Sequence, residues 1–348
     1  MKSVIVVGAG LAGLSAAREL IAMGAEVTIL EAGAQLGGRV QSEIIDGYTI
    51  DRGFQVINAR YPQVRRTGLV EKLNFKFINP NFRLVDGEDS IRYGRSNPLS
   101  LITHSPSTTK AAFEEFFTGV FLAKPSEVDK SVRREILRSF PLGRPGVPAG
   151  GVGDFASALA HGLDIRYHHP VERIAGGKAV GPWGELSADA FIVATTASVA
   201  NSLLGLYMPN QMHQSTTWYH STEDELTNTE FLAVPKNSGI VNSIVISELA
   251  SEYAPAGKNL IATTTLNNIS EVSIKSEIKR LFSAHNVELV KKVEIKESLP
   301  VMAPGSKRAI YRASEKIVLA GDYLEIPSQE GAMRSGVRSA KLTLQSAH

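Results

Sequence analysis

The stretch VIVVGAGLAGL, residues 4–14, carries the pattern from which the rest of the fold follows. Its four leading residues are apolar and mostly β-branched, which predicts a buried strand of a parallel sheet. Glycines then stand at positions 8, 10 and 13 with G-x-G-x-x-G spacing, and apolar residues recur at helical spacing as far as Ile21. A second apolar stretch, EVTIL at residues 26–30, ends on Glu31. Strand, glycines, helix, second strand and terminal acid together predict a dinucleotide-binding βαβ unit.

Each part of this unit has a chemical role. Gly8 allows a tight turn off the strand, Gly10 lets a pyrophosphate approach the backbone, and Gly13 lets the helix pack closely on the strand. The N-terminus of the helix offers free N–H groups and the positive end of a dipole to the phosphates. Glu31 can accept hydrogen bonds from both hydroxyls of an adenosine ribose and would repel a 2′-phosphate, which argues against NADP. The alternative is a glycine-rich turn in an ordinary α/β domain.

Length and composition are those of a globular protein that is large enough for two domains. Of the 348 residues, 43% are hydrophobic and 21% are charged. The net charge is +2 without a basic block, so nothing indicates nucleic-acid binding. The chain has no cysteine, which excludes disulfides, thiolate catalysis and cysteine-ligated metal. Because the chain enters a strand at once and has no apolar run of about 18 residues, we expect no signal peptide, no spanning helix and a cytoplasmic location.

The phrase Gly37-Gly38-Arg39 follows Glu31 and directs the choice of cofactor. The two glycines can bend back over a pyrophosphate, and Arg39 can supply a positive charge to it; the alternative is a surface arginine. In this order, G-x-G-x-x-G, an acid and G-G-R resemble the superfamily of FAD-dependent amine oxidases, phytoene desaturases and protoporphyrinogen oxidases. The phrase GVPAGGVG at residues 146–153 makes the chain most similar to the phytoene-desaturase-like branch. The resemblance implies one tightly bound FAD as the cofactor.

Two further positions take their roles from this resemblance. The phrase DRGF, residues 51–54, stands where the family usually has an acid followed by two glycines against the isoalloxazine ring. Here Phe54 replaces the second glycine, which leaves Gly53 as the residue of close approach. Val171 and Ile174 match a V-x-x-I strand whose valine holds the adenine through its backbone.

The C-terminal segment resembles the closing motif of the same family. A strand over residues 316–322 ends in Gly-Asp, and Asp322 at its end can bind a ribityl hydroxyl. A following helix can donate backbone N–H groups near Ala332 and Met333 to the C2 carbonyl of the flavin. The alternative is a solvated aspartate beside an ordinary capped helix. The full set of predicted cofactor-binding residues is Gly8, Ala9, Gly10, Leu11, Ala12, Gly13, Glu31, Ala32, Gly37, Gly38, Arg39, Gly53, Val171, Ala194, Gly321, Asp322, Ala332 and Met333.

A second domain is predicted from a change of pattern. Residues 215–300 are typical of short strands with polar turns and one helix capped by Ser270, and strands without crossover helices favour an antiparallel sheet. Residues 106–140 are predicted to be helical, and their regularly spaced phenylalanines are interpreted as a packed helix, with a membrane-docking surface as the alternative. We therefore predict an α/β fold. Its Rossmann-like FAD-binding domain comprises residues 1–59, 146–204 and 306–348, and its inserted substrate domain, an antiparallel sheet plus helix, comprises residues 60–145 and 205–305.

The implied activity is that of an FAD-dependent oxidoreductase that accepts a hydride from an organic substrate at flavin N5. Amine oxidases often place a lysine in the stretch that corresponds to residues 216–221, and this chain has none there. A desaturase-type dehydrogenation of a lipophilic or isoprenoid compound is therefore the first prediction. A flavin-dependent amine oxidase, a non-redox FAD-dependent isomerase and an NAD-dependent dehydrogenase are the alternatives. Trp218, Tyr219 and His220 are the candidate pocket residues, and no catalytic residue is assigned.

The expected partner is a small molecule, with the electron acceptor and peripheral membrane contact left open. No metal site is predicted. His168 and His169 are adjacent in a predicted strand over residues 164–174, so their side chains would point to opposite faces and could not share a metal ion.

Overall fold

The computed structural model describes residues 1–94, 105–139, 143–306 and 310–345. Its helices are α1 (Leu11–Ala22), α2 (Pro62–Thr67), α3 (Pro106–Phe121), α4 (Lys130–Ser139), α5 (Gly153–Ala160), α6 (Ala197–Leu204), α7 (Ile246–Leu249), α8 (Glu271–Phe282) and α9 (Gln329–Gln345). Its strands are β1 (Ser3–Val7), β2 (Glu26–Leu30), β3 (Ser42–Ile45), β4 (Tyr48–Asp51), β5 (Ile57–Asn58), β6 (Phe75–Phe77), β7 (Asn81–Asp86), β8 (Asp89–Gly94), β9 (Pro145–Pro148), β10 (Asp164–Arg166), β11 (Arg173–Ala175), β12 (Lys178–Gly181), β13 (Gly184–Ser187), β14 (Ala190–Val193), β15 (Met212–Thr222), β16 (Leu232–Pro235), β17 (Ile240–Val245), β18 (Asn259–Thr265), β19 (Glu288–Pro300) and β20 (Ile317–Leu319).

A five-stranded parallel sheet, in the order β10-β2-β1-β14-β20, forms the centre of a Rossmann-like unit. The two apolar faces of β1 are both covered, which is why its sequence is a continuous apolar run. Val4 and Val6 pack toward α1, α5 and α9, whereas Ile5 and Val7 pack toward the small antiparallel sheet β11-β12-β13. Helices α1 and α9 lie very close together, because a Cβ at Gly336 would come within 2.1 Å of the carbonyl oxygen of Ala12.

The second large sheet has seven strands in the order β19-β15-β18-β17-β16-β7-β8. All of its neighbours are antiparallel except β16 and β7, which run parallel and differ in this from the purely antiparallel prediction. The reason is that β7 and β8 come from residues 81–94, far from the other strands in sequence, so no short hairpin fixes their direction. Helix α8 covers one face, and the Ser270 hydroxyl accepts a hydrogen bond from the Ser273 N–H as predicted for its cap.

The phenylalanines of α3 pack into the protein. Phe116 stacks on Phe82 with ring centroids 4.5 Å apart, and Phe117 stacks on Phe121 with centroids 5.8 Å apart. Among the predicted apolar residues of this helix, Val120 is 40% exposed. The phenylalanines of α3 therefore mainly form a packing surface, in agreement with the interpretation made from their spacing. Phe140, at the end of the predicted helical stretch, lies outside the described residues.

One predicted strand is wrong. Residues 164–174 form two short strands, β10 and β11, that belong to different sheets. Between them His168 adopts a left-handed backbone conformation with φ +56°, and Pro170 follows, so the chain turns instead of extending. The backbone N–H of His169 donates to the Glu31 carbonyl oxygen at 2.8 Å, which ties this turn to the end of β2.

Candidate functional site

In the glycine loop after β1, the fold requires glycine at positions 8 and 13, whereas Gly10 has free space beside it. Gly8 has φ +103°, and a Cβ at Gly13 would lie 2.0 Å from the Gly8 carbonyl oxygen, so the fold itself requires both. Gly10 has an ordinary extended backbone, and a Cβ there would have no atom within 4 Å. The loop thus presents a bare backbone and the N-terminus of α1 to open space. This cradle fits the pyrophosphate of a dinucleotide.

The predicted ribose-binding acid is held beside this loop. One carboxylate oxygen of Glu31 accepts a hydrogen bond from the Ala9 N–H, and the other accepts one from the Gly33 N–H, both at 2.8 Å. Val171 packs in the same apolar cluster as Val7 and Leu30, at the carboxyl ends of β1 and β2. The two residues predicted for the adenosine end of the cofactor therefore lie at the same edge of the parallel sheet, where ligands of such folds bind.

The G-G segment folds back onto the glycine loop. The N–H of Gly37 donates to the Ala9 carbonyl oxygen at 2.8 Å, and Gly37 forms a parallel bridge with Gly10. A Cβ at Gly38 would lie 3.4 Å from the Cα of Gly10. The two glycine motifs therefore form one surface, as their predicted roles require.

Arg39 and Asp322, predicted for the phosphates and the ribityl chain, bind each other. The guanidinium donates to the two carboxylate oxygens of Asp322 at 2.7 and 2.9 Å, and also to the Ser298 carbonyl oxygen at 2.9 Å. This bidentate ion pair joins the beginning and the end of the chain at the carboxyl edge of the parallel sheet. Arg39 is therefore not a solvated surface arginine, and its contact with phosphate stays a prediction.

The C-terminal helix α9 begins at Gln329, three residues before Ala332, the first of the two residues whose backbone N–H groups were predicted to bind the flavin. The N–H of Gly331 donates to the Ser328 hydroxyl at 3.0 Å, and the N–H of Ala332 donates to the Ser328 carbonyl oxygen at 2.9 Å. Ala332 and its neighbour Met333, both buried, thus lie inside the hydrogen-bonded part of α9. Helical geometry leaves the amides of the first turn, at Gln329 and Glu330, better placed to donate to a ligand.

A buried aspartate, Asp51 at the end of β4, links the β3-β4 hairpin to the seven-stranded sheet, and no role beyond its motif was predicted for it. One carboxylate oxygen of Asp51 accepts hydrogen bonds from the Ser42 hydroxyl at 2.6 Å and the Val152 N–H at 3.0 Å. The other accepts one from the Tyr253 hydroxyl at 2.7 Å, and the Tyr219 hydroxyl donates to the Asp51 carbonyl oxygen at 3.0 Å. Burial raises the pKa of the Asp51 carboxyl to about 6, although its hydrogen bonds act in the opposite direction.

Gly53, predicted to approach the flavin ring, follows Asp51 with φ +86°. A Cβ at Gly53 would lie 2.4 Å from Cδ1 of Ile295 on β19, so a glycine is required here by the packing of this turn against β19. Nothing in this contact assigns Gly53 to the ring, and that role stays a prediction.

We expect Asp51→Asn to stabilise the protein above about pH 7 and to have little effect near pH 4. Because the carboxyl pKa is higher in the native than in the unfolded state, the free energy of unfolding of the wild type falls as pH rises from about 4 to about 6. This loss is at most about 3 kcal/mol. Asparagine can keep the Ser42 and Val152 contacts without the buried charge. Thermal unfolding of both proteins across this pH range measures the difference.

The exposed Asp129 provides a control of opposite sign. Hydrogen bonds from the hydroxyl and the N–H of Ser131 hold its pKa near 2, so Asp129→Asn should be destabilising at neutral pH and neutral in strong acid. If Asp51→Asn lost stability across the whole range, the ionised carboxylate would instead be a net stabilising group.

The three candidate pocket residues of β15 do not share a face of the sheet. Tyr219 points to the cofactor-binding half and contacts Asp51, whereas Trp218 and His220 lie on the opposite face with ring centroids 6.5 Å apart. Trp218 packs in the same cluster as Ile274 and Ile278 of α8, and burial followed by the charge of Lys275 lowers the pKa of His220 to about 4. We therefore withdraw Trp218 and His220 as pocket residues. Alternation along a strand separates them from Tyr219.

No other class of site is found in the described part of the chain. Within residues 1–94, 105–139, 143–306 and 310–345, no helix is long and apolar enough to cross a membrane. The same residues contain no group of three or more histidine, aspartate or glutamate side chains that could hold a metal ion.

The structure joins the glycine cradle to the G-G segment and, through the Arg39–Asp322 ion pair, to the C-terminal Gly-Asp strand, and these are the motifs on which the resemblance to FAD-dependent oxidoreductases rests. A family model described as flavin containing amine oxidoreductase matches residues 11–86 and 78–344. The chain belongs to this family.

Individual relatives match over shorter segments. The chain is 32% identical to a protoporphyrinogen oxidase 2 from Arabidopsis thaliana over 144 residues, which cover 40% of the chain and 28% of that protein. It is 26% identical to polyamine oxidase 2 from the same plant over 265 residues, which cover 58% of the chain and 52% of the relative. These matches thus span about half of the curated relatives or less.

Solved structures resemble the whole chain in fold. An oxidoreductase from Methanosarcina mazei has a TM-score of 0.74 at 19% identity, with 97% of this chain and 99% of that chain covered. A reduced UDP-galactopyranose mutase has a TM-score of 0.76 at 14% identity, with 100% and 96% covered. At these identities the likeness shows the fold alone.

Proposed function

We propose that this enzyme oxidises a small organic molecule that is bound between its two large sheets. FAD, when bound, would accept a hydride from the substrate at N5, and the protein would bind and orient both molecules. The observation that carries the proposal is that the seven-stranded sheet reaches the G-G-R segment beside the glycine cradle, because the Ser298 carbonyl oxygen of β19 accepts a hydrogen bond from Arg39. In addition, Asp51 of the cofactor-binding half contacts Tyr219 of this sheet and Tyr253 of the short helical turn Ser251–Tyr253.

The same arrangement supports a division of labour between two discontinuous domains. We infer that residues 1–59, 146–204 and 306–348 hold FAD. The cradle of Gly10, the carboxylate of Glu31 and the Arg39–Asp322 pair all belong to these segments. Residues 60–145 and 205–305, which supply the seven-stranded sheet, α3 and α8, would then hold the substrate.

Two substrate classes compete for this site. A lipophilic or isoprenoid compound is supported by the lack of a lysine in residues 216–221, and Lys296 on the neighbouring strand β19 is exposed. An amine is supported by the polyamine oxidase match. A non-redox isomerisation would use the same cofactor residues. The proposal assigns no electron acceptor and no membrane contact.

We expect the purified protein to be yellow, with flavin absorbance near 450 nm that bleaches under anaerobic conditions when a substrate is added. A panel divided between amines and isoprenoids would separate the two classes, and product analysis would detect isomerisation without net oxidation. A protein that holds FAD but is bleached by no member of the panel would contradict the proposed oxidation.

A further inference from the structure

One face of the seven-stranded sheet meets the cofactor-binding half. Tyr219 and Thr217, two residues apart on β15, both point to this side. The Tyr219 hydroxyl donates to the Asp51 carbonyl oxygen at 3.0 Å, and the Thr217 hydroxyl accepts a hydrogen bond from the Phe54 N–H at 3.1 Å. Thr217 therefore stands directly beside the turn of residues 51–54.

A row of buried polar side chains begins at Thr217 and crosses three strands. Thr217 is paired with Thr264 on β18, and their hydroxyl oxygens are 3.4 Å apart. Thr264 is paired in turn with Asn242 on β17. Directly paired residues share a face of the sheet, so the three side chains follow one another across it. All three are buried, with 1%, 5% and 8% of their surface exposed.

Asn242 is the distinctive member of this polar row, which consists of Thr217, Thr264 and Asn242. Its side-chain carbonyl oxygen is buried and has no hydrogen-bond partner among the described residues. A buried polar atom without a partner is unfavourable and is seldom retained without a reason. The pairing of β17 with β18 is shifted between Ile240 and Asn242, which indicates a bulge. Such bulges re-aim side chains and are common next to active sites.

The far end of the row is closed by a helix. A Cβ at Gly119 of α3 would lie 3.3 Å from the Asn242 side-chain nitrogen, so this helix lies directly over Asn242. The polar row therefore runs between the turn of residues 51–54 at one end and α3 at the other. It forms a polar strip on the sheet face that is turned toward the FAD-binding half.

We propose that the polar row is the substrate-recognition surface, and that Asn242 selects substrates that present an N–H or O–H donor. The buried carbonyl oxygen of Asn242 would accept this hydrogen bond, and the hydroxyls of Thr264 and Thr217 would orient polar atoms closer to the turn of residues 51–54. A hydrocarbon has no group that satisfies this acceptor. The inference rests on the proposed function and narrows it to polar substrates, which disfavours a pure polyene.

The test compares hexylamine, hexanol and hexane, three probes that differ only in the terminal group. Calorimetric titration of the purified protein is expected to show saturable binding of hexylamine, hexanol or both, and weaker binding of hexane. Asn242→Leu keeps the branched shape and the number of side-chain heavy atoms and removes the unpartnered oxygen, so it should fold. It should weaken binding of the polar probe about tenfold or more. The amine and alcohol arms show which donor the site prefers.

Adjacent threonines on β18 provide a matched control. Thr264→Val removes a hydroxyl from the polar row and should weaken binding of the polar probe several-fold. Thr263→Val makes the same change on the opposite face, where the Thr263 hydroxyl contacts Ser243 at 2.8 Å, and should leave binding unchanged.

Three results would overturn the inference: equal binding of the polar probe by the wild type and Asn242→Leu, hexane binding as tight as that of the polar probes, or no saturable binding of any probe. The FAD content of the same samples is measured separately. If one of these three results is obtained with full FAD content, only the inference about Asn242 is contradicted and the proposed oxidation is unaffected. If the protein contains no FAD, the proposed function is contradicted.

Discussion

A Gly10→Val variant is expected to fold normally and to purify with little or no FAD. Gly10 has φ −77° and ψ 177°, a conformation that valine adopts readily, and a Cβ there would have no atom within 4 Å. The new side chain would therefore occupy only the space that the cradle leaves for a pyrophosphate. We expect the FAD affinity to fall more than tenfold, which corresponds to more than about 1.4 kcal/mol. Flavin absorbance per protein and titration of the apoprotein with FAD measure this loss.

Gly13→Ala is the contrasting variant. Its Cβ would lie 2.0 Å from the Gly8 carbonyl oxygen, so it should destabilise the protein whether or not FAD is present. Melting temperatures of the FAD-free proteins separate the two effects: Gly10→Val should match the wild type, and Gly13→Ala should fall below it. Full flavin content in Gly10→Val would show that the pyrophosphate does not lie on this loop.

Asp322→Ala has the second large expected effect, and it acts on both stability and FAD affinity. The carboxylate is 4% exposed and forms a bidentate pair with Arg39, so its removal leaves a half-buried guanidinium without its partner. Breaking a fully buried pair costs about 3–5 kcal/mol, and the partial exposure of Arg39 should reduce this to about 1–3 kcal/mol. Loss of the predicted ribityl acceptor should also weaken FAD binding.

Asp322→Asn separates these two effects, because it keeps the shape and one acceptor oxygen but removes the charge. Urea unfolding of the FAD-free proteins measures the ion pair, and FAD titration of the folded fraction measures the ligand contact. If Asp322→Ala lowered only stability, Asp322 would be a structural partner of Arg39 and not a ligand of the cofactor.

The cofactor-binding half was largely predictable from the sequence, because its signals are local. The residues of the glycine loop, the first helix and the second strand lie close together in the chain, and each has a characteristic spacing. The structure places Glu31, Gly37 and Gly38 around Gly10 as those spacings indicate. The cap of α8 at Ser270 was predictable for the same reason.

Contacts between distant segments could not be predicted in this way. Arg39 and Asp322 were each predicted to bind the cofactor, but no spacing rule indicates that two residues 283 positions apart bind each other. The role of Asp51 likewise depends on Tyr253, which comes from another part of the chain. For β15, alternation separates Tyr219 from Trp218 and His220, but the sequence does not indicate which of the two faces meets the turn at Asp51.

The unpartnered oxygen of Asn242 has no signal in the sequence at all. Polar residues are common in the strands of this domain, and only the pairing of Thr217, Thr264 and Asn242 shows that they form a row. The proposed substrate-recognition surface is therefore the part of the molecule that could be recognised only from the structure.

The most direct test of the account is identification of the molecule that the purified protein releases on denaturation. Chromatography with mass detection, together with protein quantification, gives the identity and the ratio of this molecule. We predict FAD at one molecule per chain, without NAD or NADP. Release of a nicotinamide dinucleotide, or of no dinucleotide from a protein that also fails to take up added FAD, would contradict it.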